Sequence, residues 1–150
     1  MLKVGDRAPE IKVLTDSGEA FKLSALKGKR VVLYFYPKAD TPGCTVEACE
    51  FRDSAEALAG KDAVVIGVSP DKPAAQAKFK QKYGLNFILL ADDEKQAAEA
   101  YGVWKEKNMY GRKVMGIERT TFVIGPDGKI EKIYNKVKAK GHAAEVAAAL

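Results

Sequence analysis

The run VVLYFY, residues Val31–Tyr36, contains only β-branched, aliphatic and aromatic residues. A strand without polar alternation is typical of a parallel sheet that is covered on both faces, so we expect this strand at the centre of the fold. A helix is predicted over Pro42–Ala59, because Thr41 suits its N-cap, a proline suits its first position and Gly60 suits its C-terminal cap. The next apolar run, Ala63–Val68, completes a β-α-β unit.

Further elements extend this unit on both sides. They are a hairpin of Ile11–Leu14 with Phe21–Leu23, a helix from about Pro73 to Tyr83, a strand Phe87–Leu90, a short helix Glu94–Tyr101, a hairpin of Thr120–Ile124 with Lys129–Tyr134, and a closing helix Gly141–Leu150. This order predicts an α/β protein with a central mixed β-sheet flanked by helices and an N-terminal β-hairpin. A chain of 150 residues is also the size of one domain, which we place over residues 1–150.

Composition excludes several classes of protein. Hydrophobic residues are 47% and charged residues 30% of the chain, which is typical of a globular protein and not of a disordered one. The longest apolar runs are far shorter than the about 20 residues that a membrane-spanning helix needs. The opening residues mix acidic and basic side chains where a secretory signal needs an apolar stretch, so we expect a cytoplasmic protein with no membrane partner.

A net charge of +5 is compatible with binding to a nucleic acid. The two basic concentrations, Lys105–Lys113 and Lys129–Lys140, are interrupted by Glu106 and Glu131. They also lack the alternating aromatic residues on which single-stranded nucleic acids stack. We interpret both as solvated faces and expect no nucleic-acid partner.

The chain has one histidine, His142, and two cysteines. These residues cannot complete a structural zinc site of four Cys and His ligands, and they leave a single candidate base for a triad. His142 precedes an Ala-rich segment, so we interpret it as a surface residue at the start of a helix. We expect no metal and no cofactor.

Cys44 follows the predicted central strand and lies in the first turn of the predicted helix. Proteins of the α/β class place their sites at this end of the sheet, and the free N–H groups of a helix N-terminus favour a thiolate. The helix dipole contributes only about 0.3–1 kcal/mol, so an Arg or Lys from elsewhere in the chain has to add to it. For Cys49, burial as a small residue of an amphipathic helix is an equally good interpretation.

The spacing of the two cysteines restricts their pairing. Residues five apart on an ideal helix have Cα atoms roughly 8.7 Å apart, whereas a disulfide needs less than about 7 Å. If the segment is helical throughout, Cys44 and Cys49 therefore bond only after local unwinding.

The pattern Pro37-x-x-x-Thr41-x-x-Cys44 resembles the peroxiredoxin active-site motif. The stretch TPGCTVEACEFRD, residues 41–53, is similar to the branch that contains bacterioferritin comigratory protein, or peroxiredoxin Q. The likeness extends over nearly the whole chain, through VGDRAP at 4–9, SPD at 69–71 and ERTTFVIGPDG at 118–128.

This resemblance implies a thioredoxin-like fold and a thiol peroxidase with a role in antioxidant defence. It assigns Cys44 as the peroxidatic nucleophile and Cys49 as the resolving thiol of an intramolecular disulfide. It also implies that Arg119 lies beside Cys44, that the Thr41 hydroxyl bonds the thiolate or the peroxide in addition to capping the helix, and that Pro37 shields the thiolate. Without the resemblance, Arg119 is a charge at a strand end and Pro37 a strand terminator.

Glu47 lies one turn beyond Cys44 and has two interpretations, a partner that holds Arg119 or a carboxylate on the helix surface. The implied substrates are hydrogen peroxide and alkyl hydroperoxides, and the implied reductant is thioredoxin or a glutaredoxin-type dithiol. A monomer is expected, with a dimer as the alternative, for which Trp104 or Tyr110 could mark an interface.

Two other hypotheses remain open at this stage. A thiol-disulfide oxidoreductase shares the fold but normally uses Cys-x-x-Cys. A chaperone-like or binding role of the basic faces would need no catalytic thiol.

Overall fold

The structure is a computed structural model that describes residues 2–150, except for the side chain of Met109. In chain order its elements are β1 (Lys12–Thr15), β2 (Ala20–Lys22), a 3-10 helix (Leu23–Leu26), β3 (Arg30–Phe35), α1 (Pro42–Ala59), β4 (Ala63–Ser69), α2 (Pro73–Tyr83), β5 (Ile88–Ala91), α3 (Gln96–Ala100), β6 (Trp104–Met109), β7 (Arg112–Ile117), β8 (Thr120–Ile124), β9 (Ile130–Tyr134) and α4 (His142–Ala149).

The main sheet has seven strands in the order β2-β1-β5-β4-β3-β8-β9. Strands β3, β4 and β5 are parallel, while β1, β8 and β9 pair antiparallel with their neighbours. The prediction of a mixed central sheet with an N-terminal β-hairpin is therefore confirmed, and β3 lies inside the sheet as expected.

The two faces of β3 explain its unbroken apolar sequence. Val31, Leu33 and Phe35 belong to a core that also contains residues of α3. Val32 and Tyr34 belong to a second core, which packs α1, α2 and α4 against the opposite face. Because both faces are covered, residues 31–35 of this strand leave no position open to a polar residue, and only Arg30 at its start is partly exposed.

The N-terminus of α3 differs from the prediction. The helix begins at Gln96, because Lys95 has a left-handed backbone with φ of 60°. The Asp92 carboxylate accepts hydrogen bonds from the backbone N–H groups of Ala97 and Ala98, at 3.0 and 2.8 Å, and so satisfies the free donors of this short helix.

Strands β6 and β7 form a separate two-stranded hairpin that the sequence analysis did not predict. Its tip is Tyr110-Gly111, where both residues have positive φ, as a two-residue turn between twisted strands requires. The segment Lys105–Lys113 alternates charged residues with few apolar ones, so it lacks the apolar face from which a strand is recognised.

The interpretation of His142 as a surface residue is wrong. Its side chain is 3% exposed, and Nε2 lies 2.7 Å from Thr121 Oγ1 in β8. The ring packs edge-on against Phe51 of α1 and Tyr134 of β9. A neutral imidazole fits this place, since burial lowers the pKa of His142, although Glu145 opposes the shift.

Within residues 2–150, no helix has both the length and the apolar character needed to cross a bilayer.

Candidate active site

Cys44 lies in the first turn of α1, directly beyond the carboxyl end of β3. Helix α1 starts where the sequence predicted, with Thr41 at the N-cap and a proline at the first helical position. The Cys44 side chain is 1% exposed and packs in the same core as Tyr34. The thiol is therefore held in an apolar setting at a helix N-terminus.

Arg119 reaches Cys44 because of the pairing between β3 and β8. Phe35 at the end of β3 is in register with Thr120 at the start of β8, so Arg119 stands at the edge where α1 begins. Its Nη2 donates to Cys44 Sγ at 3.4 Å. The expected position of Arg119 beside Cys44 is confirmed.

The other arm of the Arg119 guanidinium is held by Glu47. Nη1 donates to Glu47 Oε1 at 2.7 Å, and the Glu47 side chain is fully buried. Of the two interpretations of Glu47, the partner of Arg119 is the correct one. Glycine at position 43 makes room for this arrangement, because a Cβ there would lie 3.2 Å from Arg119 Nη2.

Burial and the attraction between Glu47 and Arg119 shift the pKa values of both side chains. Burial raises the pKa of Glu47 to about 7, although the charge and hydrogen bond of Arg119 oppose the shift. The second oxygen, Oε2, has no hydrogen-bond partner in the described part of the chain. For Arg119, burial acts to lower the pKa, but the charges of Glu47 and Cys44 outweigh it and raise the pKa. The guanidinium therefore keeps its positive charge beside the sulfur.

Thr41 departs from its expected contacts. Its Oγ1 donates to the backbone oxygen of Lys38 at 2.8 Å and makes no capping hydrogen bond to α1. The expectation that the hydroxyl caps the helix is therefore wrong. The hydroxyl directs its hydrogen to the Lys38 carbonyl in the loop before α1, and no backbone N–H of the helix donates to Oγ1. Thr41 and Pro37 are both partly buried in this loop.

A network of buried and partly buried polar groups fixes the loop between β3 and α1. The backbone N–H of Ala39 donates to Asp71 Oδ2 at 2.8 Å, and Ser69 Oγ donates to the same oxygen at 2.6 Å. Gln76 Nε2 donates to Ser69 Oγ at 2.8 Å, while Gln76 Oε1 accepts from Tyr36 Oη at 2.6 Å. Gln76 could not be identified from the sequence, since a lone glutamine on a helix carries no signal of burial.

Cys49 lies on the same helix as Cys44, and both thiols are free. Helix α1 is continuous from Pro42 to Ala59. The two thiols can therefore form a disulfide only after part of this helix unwinds.

The chain matches the AhpC/TSA family over residues 4–133. It is 54% identical over 144 residues to peroxiredoxin Bcp of Bacillus subtilis (strain 168), with 96% of this chain and 92% of that relative covered. Among solved structures, a mutant of PrxQ from Xylella fastidiosa has a TM-score of 0.94 at 35% identity, covering 99% of this chain and 95% of the other. The bacterioferritin comigratory protein of Xanthomonas campestris, described for its alkyl peroxide reduction activity, has a TM-score of 0.88 at 39% identity, covering 93% of this chain and 88% of the other. This chain therefore belongs to the AhpC/TSA family and is a peroxidase of the Bcp and peroxiredoxin Q type.

Proposed function

We propose that this peroxiredoxin reduces hydrogen peroxide and alkyl hydroperoxides through Cys44 as the peroxidatic thiol. The observation that carries the proposal is the contact of 3.4 Å between Arg119 Nη2 and Cys44 Sγ at the N-terminus of α1. A guanidinium in this place stabilises a thiolate in the resting enzyme and negative charge on oxygen during the reaction. The alkyl peroxide activity described for the X. campestris relative supports the organic substrates.

In the first step, the Cys44 thiolate attacks one oxygen of the peroxide. A sulfur–oxygen bond forms while the oxygen–oxygen bond breaks, so the sulfur is oxidised by two electrons to a sulfenic acid. The leaving oxygen takes up a proton and departs as water, or as an alcohol from an alkyl hydroperoxide. Arg119 donates hydrogen bonds toward the charge that develops on this oxygen.

Three further residues position the reacting groups. Glu47 fixes the guanidinium plane of Arg119 through one arm and leaves the other arm for the sulfur. Pro37 offers no backbone N–H and stiffens the loop next to the thiol. Thr41 carries a hydroxyl that donates to Lys38 in this structure, and we propose that it turns to the peroxide when substrate enters.

In the second step, Cys49 resolves the sulfenic acid. Its thiol displaces the sulfenic oxygen as water and forms an intramolecular disulfide, which requires the first turns of α1 to unwind. A dithiol reductant then restores both thiols by thiol–disulfide exchange. We propose thioredoxin, or a glutaredoxin-type protein, as this partner.

From the sequence we propose that the protein is a monomer of one domain over residues 1–150, with a dimer as the alternative. We also propose that it is cytoplasmic and uses no cofactor and no nucleic-acid partner.

Intact-mass analysis after one equivalent of hydrogen peroxide tests both cysteine roles. The reduced wild type, Cys44→Ser and Cys49→Ser proteins are compared with a sulfenic-acid trap present. We expect the wild type to lose two hydrogens, Cys49→Ser alone to give a trapped sulfenic acid, and Cys44→Ser to react no faster than free cysteine. If neither thiol reacts faster than free cysteine, the peroxidatic role is wrong, and disulfide exchange with proteins becomes the better hypothesis.

A further inference from the structure

The hairpin of β6 and β7 directs one lysine toward the active site. Lys107 of β6 is in register with Val114 of β7. Its side chain, however, lies over Gly116, where a Cβ would be 3.4 Å from Lys107 Cδ and 3.8 Å from Nζ. Gly116 is two residues closer than Val114 to Arg119. The ammonium of Lys107 therefore extends along the hairpin toward the end of the molecule that carries Arg119 and Cys44.

The three lysines of the hairpin differ in their partners. Lys105 forms an ion pair with Glu118 at 2.8 Å, and Lys113 lies 3.8 Å from Glu106. Lys107 is partly buried, yet it makes no ion pair with any carboxylate in the described residues. Glu118, the acidic residue next to Arg119 in the sequence, is already engaged by Lys105.

The charges of the active site act on this ammonium. Burial lowers the pKa of Lys107, the positive charge of Arg119 lowers it further, and Glu118 and Cys44 act in the opposite direction. Lys107 thus presents a second cation on the part of the hairpin that leads to Arg119. An anionic group entering beside Cys44 would relieve the repulsion between Lys107 and Arg119.

We propose that Lys107 is a specificity-determining residue, which binds the anionic end of hydroperoxides that carry a carboxylate. The inference rests on the proposed peroxidase function of Cys44. It adds a discrimination between charged and neutral hydroperoxides that Arg119 alone does not supply, since Arg119 is held by Glu47 at the reacting sulfur and acts there on every hydroperoxide. Gly116 contributes to this binding site, because the absence of a side chain there leaves space for the aliphatic part of Lys107.

A competition assay tests this role. Cumene hydroperoxide and its para-carboxylate are mixed in equal amounts with the enzyme and excess dithiothreitol, and the two alcohol products are quantified. The product ratio reports the ratio of the two kcat/KM values, so a general effect of Lys107 on the Cys44 thiolate cancels. Background reduction is subtracted with Cys44→Ser.

We expect Lys107→Gln to lower the preference for the carboxylate by about fivefold, which is the size of one partly exposed ion pair. Lys107→Glu should lower it further, and Lys107→Arg should retain most of it. Lys113→Gln removes the same charge from the same hairpin outside the site, and it should leave the ratio unchanged. Added salt should reduce the preference in the wild type more than in Lys107→Gln.

The outcomes separate the inference from the proposed function. If the wild type consumes neither hydroperoxide above the Cys44→Ser background, the peroxidase assignment of Cys44 fails. If it consumes both and Lys107→Gln leaves the ratio unchanged, Lys107 has no role in specificity and the inference is wrong. An equal fall in the consumption of both substrates also overturns it, because Lys107 would then act on the thiol alone.

Discussion

Glu47 is a buried carboxylate whose one hydrogen-bonded partner among the described residues is Arg119. Because burial raises its pKa to about 7, the folded protein binds a proton at Glu47 more tightly than the unfolded chain does. The stability that this proton contributes is present below the unfolded pKa near 4.5 and is lost as the pH rises through about 7. Between pH 5 and pH 8 the loss amounts to about 2 kcal/mol.

Glu47→Gln should remove this dependence, since an amide keeps a hydrogen-bond acceptor for Arg119 but does not titrate. We expect the free energy of unfolding of the wild type to fall relative to Glu47→Gln as the pH rises from 5 to 8. Urea denaturation at several pH values measures the difference. The matched control is Glu56→Gln, an exposed position on the same helix, which should follow the wild type. Parallel curves for wild type and Glu47→Gln would contradict the shifted pKa.

Some individual residues of the site could be predicted from the sequence better than others. Cys44 could be identified from its place after a buried strand, and Arg119 from the motif that the chain shares with peroxiredoxins. Glu47 stayed ambiguous because burial of a helical carboxylate depends on which face of α1 meets the sheet. The hydrogen bond of Thr41 to Lys38 could not be foreseen, since it depends on the conformation of a loop.

Among the elements, α2 supports the active-site loop through one side chain. Gln76 makes hydrogen bonds to Tyr36 and Ser69, and Nε2 also donates to the backbone oxygen of Leu90 at 2.8 Å. Replacing Gln76 by leucine would leave the buried Tyr36 hydroxyl without its partner and would remove one hydrogen bond each from Ser69 and the Leu90 carbonyl. The expected loss in the free energy of unfolding is about 2–4 kcal/mol, because each orphaned buried group costs about 1–3 kcal/mol.

The measurement is urea unfolding of Gln76→Leu beside Gln81→Leu. Gln81 is an exposed glutamine on the same helix, and its replacement should change the stability by less than about 0.5 kcal/mol. Because Ser69 and Asp71 link Gln76 to Ala39, Gln76→Leu should also slow the oxidation of Cys44 by peroxide. Equal stability of the two variants would show that the network contributes nothing.

Elements with an apolar pattern were predictable from the sequence, and the others were not. Strands β3, β4 and β8 are almost wholly buried, and helix α1 begins and ends at the predicted residues. The hairpin of β6 and β7 is largely exposed, so its strands follow from backbone pairing and a two-residue turn rather than from a buried face. The hairpin that carries Lys107 was therefore the element that was hardest to predict from the sequence.

For the molecule as a whole, contacts with helix α4 hold the part of α1 that follows Cys49. Glu50 Oε1 accepts the backbone N–H of Gly141 at 2.7 Å, and Phe51 packs edge-on against His142. At the far end of α1, the Lys61 ammonium donates to the last carbonyl oxygens of α4. All of these contacts lie beyond Cys49, so none of them holds the part of α1 between Pro42 and Cys49.

Disulfide formation should therefore melt the first two turns of α1 and leave the rest of the helix in place. Hydrogen exchange followed by mass spectrometry compares the reduced protein with the protein oxidised by one equivalent of peroxide. Amides of the segment 42–49 should exchange like those of an unstructured segment after oxidation, while amides from Phe51 to Ala59 keep their protection. Cys49→Ser treated in the same way is the control, because its sulfenic acid needs no unwinding. If protection is lost along the whole of α1, the anchors from α4 do not limit the opening, and the disulfide unfolds the helix as one unit.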